Sequence, residues 1–125
     1  MACIYGEKEM PEDLKVDYLE LPGTKFDALK SFYSAVFEWK FTEYGPEYLA
    51  FTDGKIDGGF YQSELRSSVE NGSTLIVFYA SDLELTLSKV VTAGGEISRD
   101  IFPFPGGRRF HFNDPHGNEL AVWSE

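Results

Sequence analysis

Phe112-Asn113-Asp114-Pro115-His116-Gly117-Asn118-Glu119-Leu120 is the stretch that decides how this chain folds. Asp114-Pro115 favours a turn, because the proline ring fixes φ and an aspartate side chain bonds to nearby backbone amides. Gly117-Asn118 tolerate the positive φ of a tight hairpin. Apolar residues recur at period two on both sides, Phe110 and Phe112 before the turn, Leu120 and Val122 after it. This pattern predicts strands at Arg108–Asn113 and Glu119–Ser124, each with one apolar face.

Upstream of this hairpin, Gly94-Gly95 stop a helical stripe of Leu83, Leu87, Val90 and Val91. Ser81-Asp82-Leu83-Glu84 reads as the capping box that starts it. Thr74–Ala80 is a strand candidate before the helix and Glu96–Arg99 one after it. The first half runs the same way. Val16–Leu21 alternates as a strand and Pro22-Gly23 ends it. Thr24-Lys25-Phe26-Asp27 matches a capping box. Phe26, Leu29, Phe32, Tyr33, Val36 and Phe37 follow at helical spacing. Short strands are predicted at Trp39–Thr42, Tyr48–Thr52 and Gly59–Ser63, with turns at Gly45-Pro46 and Asp53-Gly54. Thr24 and Ser81 lie 57 positions apart, and Tyr18 and Leu75 share that offset. A common offset across strand, cap and helix indicates a duplicated βαβββ unit. The modules span about 15–66 and 73–125, joined by the short polar stretch Ser67–Gly72.

With 125 residues and 42% hydrophobic content, the chain supports one compact domain. Residues 1–14 read as a polar tail with neither a basic nor an apolar signal region. A formal charge of -10 argues against nucleic acid, which requires clustered Lys and Arg. It fits a soluble cytoplasmic surface and attraction of cations. The single cysteine, Cys3, allows neither a disulfide within the chain nor a thiolate zinc site. No apolar run is long enough to span a membrane.

Leu21-Pro22, Phe32-Tyr33, Val36-Phe37-Glu38-Trp39, Gly94-Gly95 and above all Phe112–Leu120 resemble the glyoxalase/bleomycin-resistance/extradiol-dioxygenase (vicinal oxygen chelate) superfamily over roughly residues 15–124. Glu38 departs from the pattern, since a glycine often follows the first helix there. The resemblance implies an α+β fold of two tandem βαβββ modules, forming an open, ligand-enclosing, barrel-like sheet with helices outside. It also implies a homodimer, because family members complete their cavities by pairing modules within or between chains.

On that fold, alternation assigns the faces. Leu19, Leu21, Ile76, Phe78, Ala80, Phe110, Phe112, Leu120 and Val122 pack toward the helices. Tyr18, Glu20, Leu75, Val77, Tyr79, Arg109, His111, Glu119 and Trp123 are expected to bind a ligand, with Ala121 beside them. The inward position of the fourth strand falls between Phe60 and Glu64, and alternation does not fix whether Gln62 or Glu64 enters the cavity.

Metal-dependent relatives carry His, Gln or Glu at positions that here hold Tyr18, Leu75 and Ala121. Leu75 and Ala121 offer no donor, so no metal and no cofactor are expected. A displaced set of Glu20, Gln62, Glu64, His111 and Glu119 is the alternative. The expected function is metal-independent binding of a small, largely apolar or aromatic molecule, neutral or cationic, as in bleomycin-resistance-type proteins. A glyoxalase-like lyase or isomerase is the competing reading, through that displaced metal or through acid–base catalysis by His111 with Glu20 or Glu119. A histidine that simply bonds a carboxylate is the plainer account of His111. His116, at a variable turn position, reads as exposed. Ile101–Gly107 reads as an apolar loop, either a lid or a packed edge. Arg108 and Arg109 either bind a ligand carboxylate or neutralise nearby glutamates.

Overall fold

A computed structural model describes residues 10–125. Cys3 and most of the 1–14 tail lie outside the described residues. The first module runs β1 (Tyr18–Gly23), α1 (Phe26–Phe37), β2 (Lys40–Glu43), β3 (Tyr48–Thr52) and β4 (Asp57–Gln62). The second runs β5 (Val77–Tyr79), α2 (Leu83–Thr92), β6 (Glu96–Phe104), β7 (Gly107–Asn113) and β8 (Glu119–Ser124). The sheets are ordered β1-β4-β3-β2 and β5-β8-β7-β6. In each, the first strand lies parallel to the last and the other pairs are antiparallel. The same order in both halves is what a duplicated βαβββ unit requires. The fold is α+β, with two open four-stranded sheets and no closed barrel. Among the described residues no helix is long and apolar enough to cross a membrane.

One core serves both modules. α1 buries Leu29, Phe32, Tyr33 and Val36. Phe32 meets Phe112 of β7 at 5.7 Å between ring centroids, and Phe37 stacks on Phe78 of β5 at 4.0 Å. Leu21, Phe60, Phe110, Phe112, Leu120 and Val122 are buried with them, so alternation sorted the helix-facing residues as expected. Each such side chain contributes roughly 1.5–3 kcal/mol when fully buried.

Neither helix starts with the expected capping box. At α1 the cap position is Lys25 in the left-handed region (φ 33°), with no side-chain cap bond, and the Thr24 amide is engaged elsewhere. At α2 the cap is Asp82 rather than Ser81, its carboxylate accepting from the Leu85 amide at 3.0 Å. A carboxylate is favoured at the positive end of the helix dipole, which explains the shift by one residue.

The fifth strand is also shorter than Thr74–Ala80. Leu75 precedes it, because Ser67, not Leu75, takes the start of β8. The Glu119 amide donates to the Ser67 carbonyl at 2.8 Å, and β5 joins only where the Ala121 amide meets Ile76.

Glu38 ends α1 in the left-handed conformation (φ 59°), its amide bonded to the Ser34 carbonyl. A side chain there costs about 1–2 kcal/mol that glycine avoids, partly offset by glycine's freedom in the unfolded chain. Glu38 is exposed. Glu38→Gly is therefore expected to raise stability by about 0.5–1 kcal/mol, read as a higher urea midpoint at unchanged m.

Candidate functional site

Residues opposite one another in register share a sheet face. On the second sheet this makes two rows. Tyr79, Trp123, Arg109 and Phe102 form one, and Val77, Ala121, His111 and Arg99 the other. This face points away from the core. Val77 is 41% exposed and Tyr79 54%. The rings of Tyr79 and Phe104 meet Trp123 edge-on at 5.1 and 6.2 Å.

Phe102, Phe104 and Arg99 were not among the expected site residues. The Ile101–Gly107 stretch is not a loop. It is the end of β6 and the hairpin into β7. Register shifts between Ile97 and Arg99 and between Arg99 and Phe102 mark bulges. A bulge re-aims side chains, and this one turns Phe102 and Phe104 onto the open face. β6 is an edge strand, where Pro103 is tolerated.

His111 is almost fully buried on this face. Its Nδ1 lies 2.8 Å from Glu119 Oε2, and Glu119 Oε1 accepts from the Val69 amide at 3.1 Å. A carboxylate only accepts, so Nδ1 carries the proton and Nε2 presents a lone pair in the neutral ring. Nε2 is buried with no hydrogen-bond partner among the described residues, and so is Arg109 Nε. The Phe102 ring lies beside the site. Its centroid lies 5.8 Å from the His111 ring, 3.6 Å from the Arg99 guanidinium and 5.3 Å from that of Arg109. Arg108 points elsewhere and forms a two-pronged ion pair with Glu84 at 2.5 and 3.2 Å. Neutralisation of a glutamate thus describes Arg108 but not Arg109.

Tyr18 and Glu20 lie on the other sheet. The Tyr18 hydroxyl meets the Tyr48 hydroxyl at 2.7 Å, and Tyr48 donates to Glu20 Oε2 at 2.9 Å. Burial raises the pKa of both phenols, so each remains a donor at neutral pH. Tyr48 reaches Glu20 across Gly59, where an added Cβ would lie 2.0 Å from its hydroxyl. The nine expected ligand residues therefore do not line one cavity within the chain. Tyr18 and Glu20 belong to the first open face, Leu75 lies outside β5, and the remaining six share the second. β4 puts Asp57, Gly59 and Tyr61 in register with Tyr18, Glu20 and Pro22. Gln62 falls on the opposite face, beside Thr24 and Phe26 at the start of α1, and Glu64 lies past the strand.

These residues do not fit a divalent metal. Ala121, at the centre of the second face between Val77 and His111, has no donor. The displaced set is split between sheets, and among the described residues no three His, Cys, Asp or Glu side chains converge.

His116 is not exposed as expected. Its Nδ1 accepts from the Thr24 amide at 3.2 Å and its Nε2 lies 2.7 Å from the Leu65 carbonyl. It pins the turn before β8 to the first module.

A family model described as Glyoxalase/Bleomycin resistance protein/Dioxygenase superfamily matches residues 15–122. Among solved structures, the chain is similar to a glyoxalase-related enzyme from Fulvimarina pelagi, with 17% identity, TM-score 0.74, and 90% of this chain and 88% of that one covered. It is similar to the fosfomycin resistance protein FosX from Mesorhizobium loti, with 20% identity, TM-score 0.69 and coverage of 93% and 94%. The lactoylglutathione lyase from Agrobacterium tumefaciens is also similar, with 17% identity, TM-score 0.67 and coverage of 91% and 95%. A comparison with curated proteins finds no match.

Proposed function

The chain belongs to the Glyoxalase/Bleomycin resistance protein/Dioxygenase superfamily, and from that premise we propose that it binds a small aromatic molecule, without a metal, on the open face of its second sheet. The observation that carries this reading is the row Tyr79–Trp123–Arg109–Phe102 beside a buried His111. An apolar, aromatic lining with a few oriented polar groups is what small-molecule sites require. The face is open in a single chain, and exposed Val77 and Tyr79 favour a second copy as its cover. We therefore read the functional unit as a homodimer, and the acidic surface supports a cytoplasmic location.

Fluorescence titration with cationic, neutral and anionic aromatics tests this. Trp123→Ala is expected to weaken any ligand found about tenfold, which corresponds to about 1.4 kcal/mol. Prior treatment with EDTA is expected to change nothing. Binding that survives Trp123→Ala unaltered, or that EDTA abolishes, sinks the reading. Sedimentation showing only monomer at micromolar concentration sinks the dimer.

A second reading rests on the His111–Glu119 pair. A carboxylate that holds Nδ1–H leaves Nε2 oriented as a general base. Turnover of a carbon acid that disappears in His111→Gln while binding persists is the outcome that distinguishes it.

A further inference from the structure

Three features of the second face are not absorbed by simple aromatic binding. The first is charge. The chain has 21 acidic residues against 11 basic ones, yet two guanidiniums, Arg99 and Arg109, flank one ring, Phe102, with no carboxylate partner among the described residues. Glu119, the nearby acid, is already taken by His111 and the Val69 amide. The second is a pair of orphans. Arg109 Nε and His111 Nε2 are both buried, and neither has a hydrogen-bond partner among the described residues; the first is a donor, and the second is an acceptor in the neutral ring. Leaving such a group unpaired costs about 1–3 kcal/mol, which a ligand that satisfies it returns as affinity. The third is spacing. Positions 109 and 111 point to one face of β7, and same-face neighbours on a strand are about 6.5–7 Å apart.

We propose that this face recognises a planar aromatic carboxylate that also bears a hydroxyl, with the carboxylate on Arg109 beside Arg99 and the hydroxyl donating to His111 Nε2. A guanidinium donates and cannot accept, so it selects the carboxylate. A neutral imidazole held by Glu119 at Nδ1 can only accept at Nε2, so it selects a hydroxyl rather than a second acceptor. Substituents two ring carbons apart suit the spacing better than adjacent ones, whose hydroxyl bonds its own carboxylate. Phe102, whose ring lies 5.8 Å from that of His111, must move aside to admit the ligand. It sits where the β6 register is broken, the least regular part of the sheet. The inference rests on the reading that this face binds small molecules, and it reverses the cationic preference that overall charge suggests. Glu20 and Glu119, the two acids among the expected ligand residues, lie on separate sheets and are both hydrogen-bonded.

Calorimetric titration of the full chain at low salt with 3-hydroxybenzoate, benzoate, 3-methoxybenzoate, benzyl alcohol and benzyltrimethylammonium tests it. The expected order is 3-hydroxybenzoate first, benzoate and 3-methoxybenzoate several-fold weaker, and benzyl alcohol and the cation at least tenfold weaker. Arg109→Met is expected to weaken all three carboxylates at least tenfold. His111→Phe is expected to erase the advantage of 3-hydroxybenzoate while leaving benzoate within about threefold. Thermal melts of both variants show that the sheet is intact. If the cation or the alcohol binds as well as the carboxylates, or if Arg109→Met changes nothing, the inference is wrong while aromatic binding stands. If none of the probes binds, the inference is wrong, and the fluorescence panel decides aromatic binding separately.

Discussion

Asp114→Ala is expected to lower the unfolding free energy by about 3–5 kcal/mol, a large share of the 5–15 kcal/mol that holds a typical domain. Asp114 is buried and each of its oxygens is occupied. Oδ1 accepts from the amides of His116, Gly117 and Asn118 at 2.9, 2.9 and 3.0 Å. Oδ2 accepts from the Tyr33 hydroxyl at 2.8 Å and from Asn118 Nδ2 at 3.3 Å. Asn118 Nδ2 also donates to the Pro22 carbonyl at 2.8 Å. One carboxylate thus closes the β7–β8 turn and ties it to α1 of the other module, while Asn118, which it holds, ties the turn to β1. Alanine would leave the amides and the buried Tyr33 hydroxyl without acceptors, and orphaned groups cost more than the bonds are worth net. Burial is the largest influence on this carboxyl and raises its pKa above the usual value, against the pull of its hydrogen bonds. The native state therefore binds this proton more readily than the unfolded chain. Falling pH through that window favours the native state through Asp114. Urea unfolding compared with Tyr33→Phe, which deletes one hydroxyl and is expected to lose about 1–1.5 kcal/mol, gives the test. A loss below 1.5 kcal/mol for Asp114→Ala, on the same scale, would show that the turn closes without its carboxylate.

What was legible in the sequence follows from which physical constraint acts locally. Alternation in β7 and β8 separates buried Phe110, Phe112, Leu120 and Val122 from the open-face Arg109, His111 and Trp123, because a strand has only two faces. The His111–Glu119 bond was within reach for the same reason, since both residues lie on one hairpin. Phe102 and Phe104 were not, because the bulges in β6 break the period on which such a reading depends. Tyr48 was missed because its reach to Glu20 depends on a missing Cβ at Gly59, the one intervening strand being crossed at a gap that no pattern along a single strand reveals. His116 bonds Thr24 from 92 positions away, and a turn's own residues do not say what the turn docks against. The division of the expected ligand residues between two faces has the same origin. Periodicity orients side chains within a sheet, but the packing of one sheet on another is set by the core they share.

That core gives the second large effect. Gly58→Ala is expected to destabilise by about 3 kcal/mol, at the upper end of overpacking costs. Gly58 lies on the core side of β4, opposite Leu19 of β1 and Phe51 of β3. An added Cβ would lie 2.3 Å from the Phe51 ring and 2.5 Å from the Leu19 carbonyl oxygen, one of them a fully buried side chain and the other backbone. Phe51 has no room to retreat. It stacks on Trp39 at 4.1 Å, and Trp39 stacks on Tyr33 at 4.2 Å, so the column runs from the Gly58 slot to the hydroxyl that Asp114 holds. Shortening the ring should relieve part of the strain. Phe51→Leu removes the far ring atoms that crowd the new methyl, so the double variant Gly58→Ala/Phe51→Leu is expected to be at least 1 kcal/mol more stable than the sum of the single losses implies. Relief should stay incomplete, because the Leu19 carbonyl cannot move without opening the β1–β4 pairing. A double-mutant cycle in urea measures this coupling. Strict additivity would mean that the backbone contact, not Phe51, sets the cost. Full recovery would mean that β1 and β4 separate more easily than their six paired positions suggest.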